Sequence, residues 1–412
     1  MNINNNITGH KKILIPILIF FAVISLSADP VLNAKSAILI DSQTGTILFE
    51  KNSNLSIPPA SMTKLMSLYV VYKKIGEGVV SKNEIIRISK NADFRSLPPH
   101  SSLMFLEEGQ EVTIADLMLG MAVPSGNDAA IAIAERIAGS VEGFVRLMNQ
   151  EAEKLGLNSI HFEDASGLSS ENRVTAADFV QFCSEYINRF PEALDELHSV
   201  SSFTYPKEKN WKANGTSVYG PITQYNRNNL LTTYVPVDGL KTGYIDESGY
   251  NIALTATMNN NQKSKRRLIA VILGGLGENS TEGSLLRAID GINLLSYGFY
   301  NFRTIKSEIP TIESPKIWKG TKTELKIKYP EIPFITLPSD KAVILRVDVI
   351  LPNNIIAPVK KDEVIGEIIQ YADKEIIGKY NITAAEDIPK GNLFIRLLDS
   401  IKIFFLKLSG DY

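Results

Sequence analysis

I-P-P-A-S-M-T-K-L-M-S-L-Y-V-V, residues 57–71, sets a hydroxyl and an amine at the mouth of an apolar run. Pro58 and Pro59 end an irregular segment, and a helix is predicted from there to about Lys74. Ser61 then stands at the helix start, where unpaired N–H groups and partial positive charge stabilise developing negative charge. Lys64, one turn on, shares its face. Serine becomes a nucleophile when a base takes its proton. Lysine can be that base if burial or a second cation lowers its pKa. The plainer reading of S-x-x-K is an N-capping serine with a solvated lysine. Against it, Lys64 is followed by Leu65, Met66, Leu68, Tyr69, Val70 and Val71, and this is the only S-x-x-K in the chain.

Two further stretches carry chemistry. P-S-G-N-D contains Ser125 and Asn127 and falls at the break that Pro124 makes between two apolar helices. S-x-N recurs at Ser81, Ser89 and Ser170, so only the setting distinguishes Ser125, and a helix-capping role fits equally well. V-D-G-L-K-T-G-Y holds the only K-T-G and opens a strand hairpin. Lys241 and the Thr242 hydroxyl could hold a substrate carboxylate, while Gly243 leaves room for close backbone approach. Alone, those three residues read as a turn with an exposed lysine.

Around these stretches the chain divides by composition. Lys11-Lys12, the apolar run at residues 13–26 and small residues with Ala28 or Ala34 as cleavage positions read as a secretory signal within 1–34, an uncleaved anchor being the alternative. Residues 35–305 begin with a hairpin turning at Gln43-Thr44-Gly45, continue through helices including the Cys183 segment, and return to strands (G-Y-N-I-A-L-T-A-T-M, R-L-I-A-V-I-L-G-G) and a helix. That order predicts an α/β (α+β) domain, an antiparallel sheet with strands from both ends of the domain and helices on its faces. Residues 306–388 are rich in proline and β-branched residues and read as a small all-β domain. Residues 389–412 form an amphipathic helix. Its stripe is Leu393, Phe394, Leu397, Leu398, Ile401, Phe404, Phe405 and Leu408, with Arg396, Asp399, Lys402 and Lys407 mostly off it. Terminal position and three phenylalanines favour a membrane surface over docking on the β domain.

Composition closes off other classes. Over 412 residues the net charge is −2, which gives no basic footprint for nucleic acid. With 44% hydrophobic residues the chain can bury a real core. One cysteine, in helical step with Phe179 and Tyr186, reads as a buried packing thiol. One Cys and four scattered His offer no metal spacing, so neither metal nor cofactor is expected.

In order, S-x-x-K, S-x-N and K-T-G resemble the signature of penicillin-recognising serine acyl-transferases, whose best-known form has S-D-N in the middle. The sequence closely resembles the low-molecular-mass penicillin-binding proteins that act as D-alanyl-D-alanine carboxypeptidases. The likeness includes P-A-S-M-T-K, P-S-G-N-D-A-A, N-R-N-N-L-L, V-D-G-L-K-T-G, G-Y-N-I-A-L-T-A-T, A-P-V-K-K-D-E-V-I-G-E and the tail. It implies a transpeptidase/β-lactamase-like catalytic domain, no cofactor, and a periplasmic protein peripheral on the outer face of the cytoplasmic membrane. Its substrate would be a peptidoglycan stem peptide ending in D-Ala-D-Ala, and β-lactams would be covalent inhibitors.

Carried over, Ser61 attacks the penultimate D-alanine carbonyl and Lys64 is general base. Backbone N–H groups of Ser61 and Tyr244 hold the oxyanion, and Ser125 relays a proton to the leaving amine. Asn127 orients the peptide and Lys64. Lys241 and Thr242 bind the terminal carboxylate, and Lys241 helps keep Lys64 neutral. Arg227 and Arg267 match basic residues of the family's site region. Several relatives carry His where this chain has Tyr244. Rival readings are a D,D-endopeptidase of cross-links, a β-lactamase with Glu163 or Asp164 as water-activating base, and a non-catalytic cell-wall scaffold.

Overall fold

The computed structural model describes residues 29–210, 219–259 and 265–409. The signal reading falls on residues outside these, apart from residues 29–34 at its end. The last of these belong to the fold: Asp290 accepts hydrogen bonds from the N–H groups of Asn33 and Ala34, each at 3.0 Å.

Along the chain, β1 (Ser36–Asp41) and β2 (Ile47–Lys51) form the first hairpin. A 3₁₀ turn, Ala60–Met62, leads into α1 (Thr63–Gly76). The small hairpin β3 (Ile85–Arg87) and β4 (Glu111–Thr113) precedes α2 (Ile114–Ala122), α3 (Asn127–Ala138), α4 (Val141–Lys154) and α5 (Ala176–Arg189). Thr113, Ser140 and Thr175 cap α2, α4 and α5 through their hydroxyls, as their residue types favour. A third antiparallel pair, β5 (Ser202–Tyr205) and β6 (Ile222–Tyr225), and a single turn, α6 (Leu230–Thr233), lead to β7 (Val237–Ile245), β8 (Gly249–Asn259), β9 (Lys265–Gly275) and α7 (Ser280–Asn301).

The main sheet is five-stranded, ordered β2-β1-β9-β8-β7, and wholly antiparallel. Its strands come from both ends of the domain, as the element order predicts. Side chains alternate across it. Ile38 and Ile40 of β1 pack into the core shared with α1–α5, and Ala37 and Leu39 into the core under α7. Cys183 lies fully buried in the first of these cores, a packing thiol. The K-T-G segment sits in the middle of β7, the edge strand, which opens the β7–β8 hairpin as expected.

Beyond α7 the chain turns to β structure. β10 (Phe302–Ile305), β11 (Lys316–Trp318), β12 (Ile327–Lys328), β13 (Ile335–Pro338), β14 (Leu345–Ile350), β15 (Asn354–Ile356), β16 (Val364–Ala372) and β17 (Glu375–Ala384) follow in turn. β12-β17-β16-β14 form a four-stranded sheet, with β10 pairing β13 and β11 pairing β15. The last element is α8 (Leu393–Ser409). No described helix is long and apolar enough to cross a membrane.

Candidate active site

Ser61 lies in the 3₁₀ turn just ahead of α1, and no side-chain cap closes either helix start. Its hydroxyl is therefore free for other work. The preceding Ala60 has φ 51, a left-handed conformation that L-residues adopt at a cost. Lys64, in the first turn of α1, is completely buried. Its ammonium donates to Ser61 Oγ at 3.2 Å, Asn127 Oδ1 at 2.7 Å and the Ser166 carbonyl at 2.6 Å. Three donors thus meet three acceptors. Burial lowers the Lys64 pKa to about 7, with Asp164 and Asp128 pulling the other way. The desolvation expected from its apolar neighbours is what tunes this base. Lys241 is pushed well below the usual lysine range by burial first, then by Lys64, Arg287 and Arg227.

The P-S-G-N-D turn joins α2 to α3 in front of Lys64. Ser125 has φ 69, is buried, and its hydroxyl has no hydrogen-bond partner among the described residues. An orphaned buried hydroxyl in a strained backbone reads as functional rather than as a cap. Asp128, the next acid along, is fully buried and accepts from the N–H groups of Met104 and Leu106. It pins the segment that carries Leu103 and Phe105 into the wall of the cleft.

Strand β7 closes the other side. A Cβ on Gly243 would lie 2.4 Å from the Pro59 carbonyl oxygen and 3.2 Å from the Ser61 nitrogen. The close approach foreseen for Gly243 is therefore made by the chain's own Pro59–Ser61 turn. Tyr244 is half exposed; its hydroxyl donates to Asp246 at 2.7 Å and its ring lies 4.5 Å from that of Tyr250.

These elements enclose a cleft of about 580 Å³, lined among others by Ser61, Ser125, Thr242, Gly243, Arg227 and Arg287. Lys64, Asn127 and Lys241 are buried and do not line it; the Lys241 ammonium donates to the Thr242 carbonyl at 3.2 Å. Arg227 is in the cleft as expected, but Arg267 is not. Arg267 pairs with Asp238 at 2.8 Å and with Thr255 Oγ1 at 2.6 Å. It stands opposite Thr257, four residues along β8 from Ala253, the partner of Lys241, so about 13 Å from K-T-G.

The cation that sequence reasoning missed is Arg287 of α7, buried and facing the cleft. Its signal was an arginine inside the apolar run S-L-L-R-A-I on the face that packs against the sheet. Glu163 is exposed and bonded to His161, and Asp164 is bonded to its own loop. Among the described residues no cluster could hold a metal.

Known proteins resemble this chain over most of its length. The family described as D-alanyl-D-alanine carboxypeptidase matches residues 24–277, and the penicillin-binding protein 5 C-terminal domain matches residues 303–390. D-alanyl-D-alanine carboxypeptidase DacA of Escherichia coli K12 is 32% identical over 382 residues, covering 91% of this chain and 89% of that one. The crystal structure of penicillin-binding protein 5 from Haemophilus influenzae superposes with a TM-score of 0.70 at 32% identity, covering 88% of this chain and 99% of that one. Penicillin-binding protein D2 of Listeria monocytogenes, in its ampicillin-bound form, superposes with a TM-score of 0.54 at 26% identity, covering 66% of this chain and 99% of that one.

Proposed function

The chain belongs to the D-alanyl-D-alanine carboxypeptidase family, and we infer from its cleft how it removes the terminal D-alanine from a peptidoglycan stem pentapeptide. The carrying observation is Lys64, fully buried, poised near neutrality and 3.2 Å from Ser61 Oγ. In neutral form its lone pair accepts the Ser61 proton as Oγ bonds to the carbonyl carbon of the penultimate D-alanine. Negative charge then develops on the carbonyl oxygen between the N–H groups of Ser61 and Tyr244, an arrangement worth a few kcal/mol. Ser125, whose hydroxyl is otherwise unengaged, relays the proton that Lys64 took from Ser61 to the departing amine of the terminal D-alanine as the C–N bond breaks. Water then attacks the Ser61 ester and frees the shortened peptide.

Asn127 orients Lys64 through its side-chain oxygen. The terminal carboxylate is received by Thr242 and Arg287, with Arg227 beside them. That carboxylate also brings the counter-charge that buried Lys241, one residue behind Thr242, lacks. A β-lactam would acylate Ser61 by the same steps, as the ampicillin-bound relative suggests. We assign catalysis to residues 35–305 and the β domain to 306–388. A signal within 1–34 would export the chain to the periplasm, and residues 389–412 would hold it on the membrane surface.

Purified protein incubated with a pentapeptide ending in D-Ala-D-Ala should release D-alanine, and Ser61→Ala should abolish release. Fluorescent penicillin should label Ser61, located by mass spectrometry. Release by Ser61→Ala at the wild-type rate would overturn the assignment.

A further inference from the structure

Lys64 has an acceptor that belongs to none of the three motifs. The Ser166 carbonyl, 2.6 Å away, is the shortest of its three contacts. A backbone carbonyl aimed at a buried amine needs a loop held in one shape, and the loop at residues 163–172 is held from several sides. The Asp164 carboxylate gathers the N–H groups of Ser166, Gly167 and Ser169 and the Ser166 hydroxyl. Asn172 Oδ1 accepts from Glu163 N–H at 2.7 Å, and its amide donates to Thr63 Oγ1 at 3.1 Å. Ser67 Oγ donates to the Ala165 carbonyl at 2.6 Å. Gly167 has φ 87, and a Cβ there would lie 1.9 Å from the Ala60 carbonyl oxygen, so the loop is pressed against the nucleophile turn itself.

We propose that Asp164 is a positioning residue for acylation: by gathering its own loop's N–H groups it turns the Ser166 carbonyl onto Lys64 and so holds the amine at Ser61. The proposal rests on Lys64 being the base. The charged groups that face Lys64 are Asp164 from this loop, Asp128 from α3 and Lys241 from β7, with Arg287 and Arg227 facing Lys241 in turn. Asp164 therefore acts in two ways. Its hydrogen bonds place an acceptor, and its charge favours the ammonium. Removing the charge weakens that preference, so Lys64 becomes neutral at lower pH. Both carboxylate oxygens are occupied by loop N–H groups, which is a poor arrangement for activating water.

The test is the pH dependence of acylation by a chromogenic or fluorescent penicillin, measured on the full chain for wild type, Asp164→Asn and Asp164→Glu. In Asp164→Asn the acidic midpoint should move down by about one pH unit, and the plateau rate should fall about tenfold. In Asp164→Glu, which keeps the charge but not the geometry, the midpoint should stay while the plateau falls. A lower plateau with an unmoved midpoint in Asp164→Asn would mean ordinary loop stability and overturn the proposal. So would a wild-type acylation profile with only slower release of the penicilloyl group, which would make Asp164 the water-activating base. If Asp164→Asn takes up no label because it does not fold, Asp164→Glu decides: a wild-type plateau there overturns the proposal. Lys64→Gln separates the premise. Acylation by that variant with the wild-type profile would remove Lys64 as base, independently of Asp164.

Discussion

In the proposed mechanism the first step depends on a single titration, that of Lys64. Burial brings it to about 7. Below that value it is protonated and cannot accept the Ser61 proton; above it the lone pair is free. Acylation by penicillin should therefore rise about tenfold per pH unit on the acid side and level off above about pH 7, readable by stopped flow. A flat profile between pH 5 and 8 would contradict the assignment. Tyr244 makes a different kind of prediction. Its side chain is turned to Asp246 and Tyr250, and its proposed contribution is a backbone N–H. Tyr244→His should leave acylation within about threefold, far from the hundredfold or more that follows loss of an oxyanion donor. Arg287 acts on binding. Arg287→Ala should raise KM for a peptide with a free C-terminal carboxylate by about tenfold or more, while a C-terminal amide, lacking the charge, should be turned over no worse than by wild type.

Two glycines hold the Ser61 turn between a strand and a loop: Gly243 of β7 on one side and Gly167 on the other, each so close that a Cβ would strike backbone. Gly243→Ala must push the edge strand away from Pro59, widening the space between the Ser61 and Tyr244 N–H groups. Penicillin acylation should fall at least a hundredfold, with circular dichroism and the melting temperature little changed, since β7 is an edge strand and its pairing to β8 survives. Acylation near the wild-type rate would sink this reading. The same elements show what the sequence could reveal. The α1 apolar run, the hairpins and the break at Pro124 are local patterns, and they place Ser61, Lys64, Ser125 and Asn127 because each sits at an element end. The K-T-G was legible as residues but not as the centre of an edge strand, since edge position depends on the order β2-β1-β9-β8-β7. Arg267 was expected near the cleft and Arg287 was missed for the same reason: register along β8 and the buried face of α7 decide which guanidinium reaches the cleft. The loop at residues 163–172 had composition but no period. Its shape comes from Asp164 and Asn172 bonding backbone groups, which no helix or strand pattern encodes.

Across the whole molecule the proposed role of the last helix is to set where the cleft works. The face of α8 turned to the β domain uses Asp399, which accepts from the Lys319 N–H at 2.6 Å, and Ile403, its one buried residue. The stripe read from the sequence, Leu393, Phe394, Leu397, Leu398, Ile401, Phe404, Phe405 and Leu408, is exposed throughout, Phe394 to 67% and Phe405 to 63%. Eight bulky apolar side chains left in water forgo roughly 1.5–3 kcal/mol each relative to full burial. With Arg396, Lys402 and Lys407 off the stripe, the helix has the pattern of one that lies between acyl chains and anionic headgroups, which is the role proposed for it. The protein should float with anionic lipid vesicles, and deletion of residues 391–412 should leave it in the soluble fraction. Release of D-alanine from a soluble pentapeptide should stay within about twofold, because α8 contacts the β domain and contributes no residue to the cleft. Replacing Phe394, Phe404 and Phe405 together by serine should weaken flotation without unfolding the domain, since all three are exposed. Flotation unchanged by both the deletion and the triple substitution would assign attachment to another segment and leave the exposed stripe of α8 to a different partner.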